Sequence, residues 1–97
     1  MSQVLLSPRA KSDLSAIWNY TLNEWGSKQA EKYVRELWAA MQAAVTDSST
    51  STDISDVRKG YRKIRSGSHV IFFRSTGNNS INVVRILHQR MDFERHI

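Results

Sequence analysis

Cysteine is absent from the 97 residues, which excludes disulfides and thiolate metal sites alike. Proline occurs once, as Pro8, and glycine four times, so the few breaking positions punctuate the chain sharply. No apolar stretch approaches the roughly 18 residues that cross a bilayer. Residues 1–8 lack the basic start and apolar run of a secretory signal, so a cytoplasmic protein is expected. The three histidines, His69, His88 and His96, lack metal-ligand spacing, and no cofactor is expected. Acidic residues are scarce in one part of the chain. Residues 1–57 carry five basic against seven acidic side chains, and residues 58–97 carry nine against two. The net charge of +5 is therefore a −2 segment followed by a +7 segment. That asymmetry suggests an acidic partner for the second part: nucleic acid, an acidic peptide or an acidic protein surface. A merely solvated basic face is the competing reading.

A chain of this length is expected to form one domain, 1–97. Gln3–Leu6 is a short apolar run, suited to an edge strand. Ser7 and Pro8 form a helix start, with the serine as N-cap and the proline at the first helical position. Ala10, Leu14, Ile17, Trp18, Thr21 and Trp25 then recur at helical spacing. Gly26 is expected to end that helix in a left-handed conformation and Ser27 to cap the next. Ala30, Tyr33, Val34, Leu37, Trp38, Met41, Ala44 and Val45 repeat the period, so an antiparallel helical hairpin follows. Residues 47–56 (DSSTSTDISD) have no periodicity and are expected to be a loop. After Gly60 the pattern turns strand-like: residues 61–65, then 69–75 (HVIFFRS), then 81–87 (INVVRIL), separated by Gly67-Ser68 and by Gly77-Asn78-Asn79. The last two runs are apolar on both faces, as central strands are. A polar tail closes the chain, with one helical turn expected around residues 92–96. The fold class is α+β, β-α-α-β-β-β, a small antiparallel sheet packed against a two-helix hairpin.

The opening LSPRAKSDL and IWNYTLNEWG, with Ala30, Tyr33 and Leu37, resemble the helical hairpin of ParE-type toxins of the RelE/ParE superfamily. GYRKIRSGSHVIFFR and VVRILHQRMD resemble that family's central strands and C-terminal signature. The similarity covers nearly the whole chain, residues 47–56 excepted. It implies a toxin of a type II toxin–antitoxin pair that poisons DNA gyrase. Its partner would be a ParD-type antitoxin, whose C-terminal segment wraps the toxin and through which alone the pair meets operator DNA and represses its operon. RelE-like relatives instead cleave messenger RNA on the ribosome, and a degenerate toxin retained only as antitoxin partner is a third reading.

RNA cleavage needs a base, an acid and cations for the developing phosphorane charge. Arg62, Arg65, Arg74 and Arg85 lie on expected strands, and His88 is the one histidine placed to act as acid or base. His69 begins an apolar strand and is expected to be structural. Tyrosine is missing after Tyr61, where the nuclease relatives usually keep a catalytic aromatic, so no catalytic residue is assigned and an enzyme is not expected. The arginines are better suited to docking an acidic antitoxin segment, since a guanidinium pairs bidentately with carboxylates. Arg74 and Arg85 on neighbouring strands would share such a partner, unless one pairs internally with Asp92 or Glu94. Trp18, Trp25, Tyr33 and Trp38 fall on the apolar stripes, where core packing is the ordinary role. Tyr20 lies off the stripe. Trp18 and Tyr20 are the candidate aromatic anchors for an antitoxin helix. His88, Arg90, Met91, Phe93 and Arg95, in a tail expected to be mobile, are the candidate gyrase contacts. A DNA-recognition helix is not seen, so any DNA affinity of the free chain is expected to be nonspecific and salt-dependent.

Overall fold

Ser7 and Pro8 start the first helix as their types dictate. The Ser7 hydroxyl accepts the Ala10 N–H at 3.0 Å and donates to the Val84 carbonyl at 2.8 Å, so one side chain caps the helix and ties it to a strand. The computed structural model describes residues 3–77 and 79–96. β1 (Gln3–Leu6) leads into α1 (Pro8–Trp25) and α2 (Ser27–Thr46); β2 (Thr52–Asp53), β3 (Tyr61–Ser66), β4 (His69–Gly77) and β5 (Ser80–His88) follow. The strand order is β1-β5-β4-β3-β2. β2 to β5 are antiparallel neighbours, whereas β1 joins β5 in parallel, so the sheet is mixed. The tail's single helical turn is present at Phe93–Arg95. No helix among the described residues is long and apolar enough to cross a membrane.

The hairpin turn is tighter than expected. Gly26 alone joins the helices and caps both, at φ 90° and ψ 173°, a conformation open to glycine only. Ser27 is already inside α2 and caps nothing. The helical stripes meet the sheet through Ala10, Ile17, Leu37, Met41 and Ala44, packed on Ile71, Phe73, Ile81, Val83 and Ile86. Burying a leucine, methionine or phenylalanine as fully as Leu37, Met41 and Phe73 contributes about 1.5–3 kcal/mol each. Thr21 sits on the buried stripe because its hydroxyl donates to the Ile17 carbonyl at 2.8 Å.

Residues 47–56 are not a plain loop. A helical turn at Ser48–Thr50 leads into β2, and the buried Ile54 joins Phe72, Leu87 and Phe93 in a second core on the sheet face away from the helices. Strand alternation puts Ile71 and Phe73 in the first core and Phe72 in the second. A bulge on β5 sets Phe72 opposite Arg85 and Phe73 opposite Val83, leaving Val84 unpaired in the ladder.

Candidate functional site

α1, the start of α2 and the ends of β4 and β5 enclose an open groove of 590 Å³ lined by Asp13, Tyr33, His69, Arg85 and His88, among others. Tyr20, Trp25 and Met91 stand at its lip, exposed by 66%, 71% and 51%. His69 and His88 are cross-strand partners with ring centroids 5.5 Å apart, edge to face. The Tyr33 hydroxyl lies 2.6 Å from His69 Nδ1 and accepts the Ser68 N–H at 3.0 Å. Burial and then the neighbouring His88 hold His69 below its ordinary pKa of 6.5, partly offset by Asp13. In the neutral ring Nδ1 accepts the Tyr33 proton. His88 Nδ1 accepts the Arg90 N–H at 3.2 Å. Tyr33 also crowds the β3–β4 turn: a Cβ on Gly67, at φ 58°, would meet its ring at 2.7 Å.

Of the four strand arginines, two form ion pairs within the chain, and Arg65 donates only to the Gly67 carbonyl at 3.3 Å. Arg85 forms a bidentate pair with Asp13, Nε and Nη2 each at 2.9 Å from a carboxylate oxygen, and Nη1 donates to the His96 carbonyl at 2.6 Å. Asp13 also accepts the Ile86 N–H at 3.0 Å, closing the β5 edge beyond the last β1 partner, Val83. The Asp13 hydrogen bonds raise the Arg85 pKa further and fix its charge. Arg85 is therefore not a free docking group, and its internal partner is Asp13 rather than Asp92 or Glu94. Arg62 is spent on the 48–53 segment, donating to Ser51 Oγ and to the Ser48 and Ser51 carbonyls, with Asp53 at 3.8 Å. Arg65 and Arg74 are exposed. Arg74 faces Asn82 across the ladder, three residues from Arg85, so those two share no partner.

Trp18 is half-buried in a second groove, of 420 Å³, with Leu6, Leu14 and Val34. Tyr20 and Trp18 thus serve different grooves. Trp25, expected in the core, ends α1 at the hairpin turn beyond the sheet and is exposed. In the tail, Phe93 is buried and stacks on Phe72 with centroids 3.9 Å apart, so it is not a free contact group, and the segment is tied to the sheet. Arg90, Met91 and Arg95 are exposed, and His88 is half-buried. Asp13 was missed, although it lies three residues after Ala10 and four before Ile17. A carboxylate at that helical spacing was the available signal.

The family model for the ParE toxin of type II toxin–antitoxin system, parDE, matches residues 4–93. Toxin ParE1 of Mycobacterium tuberculosis is 46% identical over 96 residues, covering 99% of this chain and 98% of the relative. Toxin ParE1 of Caulobacter vibrioides is 38% identical, covering 100% and 99%. Toxin ParE of Escherichia coli is 30% identical, covering 95% and 89%. A chain in the solved structure of a chromosomal ParDE TA system from P. aeruginosa shares the fold, with a TM-score of 0.72, 21% identity, and 91% and 95% of the two chains covered. On these matches, the chain belongs to the family of ParE toxins of type II toxin–antitoxin systems.

Proposed function

We propose that this toxin acts in the cytoplasm by binding and poisoning DNA gyrase, without turning over a substrate, and that a ParD-type antitoxin neutralises it. The observation that carries the non-enzymatic part is the Asp13–Arg85 pair. The one strand arginine that lines the histidine groove is already neutralised, so the groove offers no free guanidinium for a developing phosphorane. Family membership supports the toxin and antitoxin parts. The antitoxin segment rests on the hairpin, with Trp18 lining one groove and Tyr20 and Trp25 at the lip of the other. Exposed aromatics beside a groove are the usual anchors of such a segment. Arg90, Met91 and Arg95, exposed beside the anchored Phe93, are the tail's gyrase contacts. Operator DNA is met through the antitoxin.

Purified gyrase, ATP and plasmid, titrated with this protein with and without its antitoxin, test the reading. Loss of supercoiling with linear DNA accumulating, reversed by antitoxin, is expected. Unimpaired supercoiling at an excess of folded protein would refute it. The nuclease reading keeps one supporting observation, the Tyr33–His69–His88 cluster. Ribosome-dependent mRNA cleavage abolished by His88→Ala would establish it. Arg85→Ala is the wrong probe, because it strands Asp13.

A further inference from the structure

The sheet face turned away from the helices carries cations that the chain itself does not neutralise. Along β3, Lys63 and Arg65 alternate with Ile64, and their cross-strand partners Phe72 and Val70 belong to the second core, so the pleat turns both cations to that face. Arg74 pairs with Tyr61 on the same face, and the Arg58 guanidinium stands over the Tyr61 ring, 5.7 Å from its centroid. Arg58, Lys63, Arg65 and Arg74 are all exposed, and none forms an ion pair among the described residues. Of the nearby carboxylates, Asp53 pairs with Arg62 and Asp92 with Arg95, and Glu94 lines the same pocket as Lys63, so four cations outnumber one uncommitted acid. Ile54 and Phe93 close over Phe72 and Leu87, and Val57 and Met91 stay exposed at the margin of the face.

We propose that this stripe binds the phosphate backbone of duplex DNA and, on the gyrase reading above, lies against the DNA that the enzyme holds. An acidic protein segment is the competing occupant, and the composition of the face argues against it. Protein interfaces seat aromatic anchors in a core depleted of lysine, whereas DNA-contacting surfaces are polar and strongly cationic. This face presents charge, buries Phe72 and Phe93, and leaves Tyr61 half-buried beneath Arg58. The two exposed helical grooves, with Trp18, Tyr20 and Trp25, lie on the other side of the sheet and leave the stripe free. Lysine and arginine on a strand, with no recognition helix, give backbone contacts that position without reading sequence.

The test is fluorescence anisotropy of a labelled short duplex of arbitrary sequence, with the full chain and a Lys63→Gln/Arg65→Gln/Arg74→Gln variant of unchanged melting temperature. Between about 50 and about 200 mM salt, log affinity should fall linearly with log salt, with a slope of about −0.9 per phosphate contact. The variant should flatten that slope by about 2 to 3 and bind at least about ten-fold more weakly at low salt. An equal slope for both proteins overturns the proposal. So does a variant that loses antitoxin affinity while keeping the DNA slope, which would assign the face to an acidic protein. If the wild-type chain traps no cleaved DNA with gyrase, the gyrase reading fails. The slope on bare duplex is measured without gyrase and judges this surface by itself. With trapping established, the variant should need about ten-fold more protein for the same cleavage, in line with its lost phosphate contacts.

Discussion

A single carboxylate on α1, Asp13, holds three donors from β5: two guanidinium nitrogens of Arg85 and the Ile86 amide. Both side chains of the pair are only 15% exposed, so removing one partner leaves the other charge unpartnered where water reaches it poorly. Asp13→Ala should cost about 3 kcal/mol in urea unfolding, and Asp13→Leu with Arg85→Met should recover most of it. The pair was invisible in the sequence because its members are 72 residues apart, and local spacing says nothing about such distances. His69 was expected to be structural from the apolar residues after it, and it stands half-buried between Tyr33 and His88. Its Tyr33 partner, 36 residues away, was not legible. His69 makes stability depend on pH in a definite direction. Its folded pKa lies below 6.5, so between the folded and unfolded values the unfolded chain binds more proton, and stability rises with pH through that window. Stability should be fully present above about pH 7.5, fall as pH drops below about 6.5, and level off below the folded pKa. Urea midpoints across this range should show that slope for the wild type and lose it in His69→Gln.

At the scale of elements, the helical hairpin and the three-strand meander were legible because their signals are local: period 3.6, period 2, a capped proline and glycine turns. The parallel seat of β1 and the two-residue β2 were not. β1 pairs with a strand almost the whole chain away, and β2 is held by its short ladder to β3, by Arg62 and by the adjacent Ile54. The tail shows the same limit. Polar composition suggested mobility, but one aromatic decides otherwise, because Phe93 fills the gap that Ile54, Phe72 and Leu87 leave. Phe93→Ala should cost about 3 kcal/mol and make the tail amides exchange as a free segment does, read by hydrogen exchange. If the tail amides keep their protection in Phe93→Ala, the stacking on Phe72 does not anchor the segment. For the candidate site, exposure was legible at Tyr20 and wrong at Trp25, since a helical stripe does not say where the sheet beneath it ends.

Over the whole molecule, adjacent residues of one strand serve opposite cores, Phe72 one and Ile71 and Phe73 the other. Neither core can open without disturbing the ladder that supports its neighbour. One cooperative transition is therefore expected, with the calorimetric enthalpy equal to the van't Hoff value. The tryptophans, Trp18, Trp25 and Trp38, all belong to the hairpin, so their fluorescence reports that layer alone, while far-UV circular dichroism reports both. Urea midpoints that coincide between the two probes would confirm the coupling, and a gap would show that the layers melt separately.

The pairing of β1 with β5 also sets a clock. A ribosome adds roughly 5–20 residues each second, so β1 is made several seconds before the strand it must join. Until then the hairpin has only a fragment of sheet to cover, and the Asp13 side chain waits for an arginine not yet synthesised. Closing that long loop comes last, because distant contacts cost chain entropy before they return any stability. A growing chain therefore spends almost its whole synthesis without the folded surface through which a toxin acts. The cell has that interval in which an antitoxin already made can be waiting.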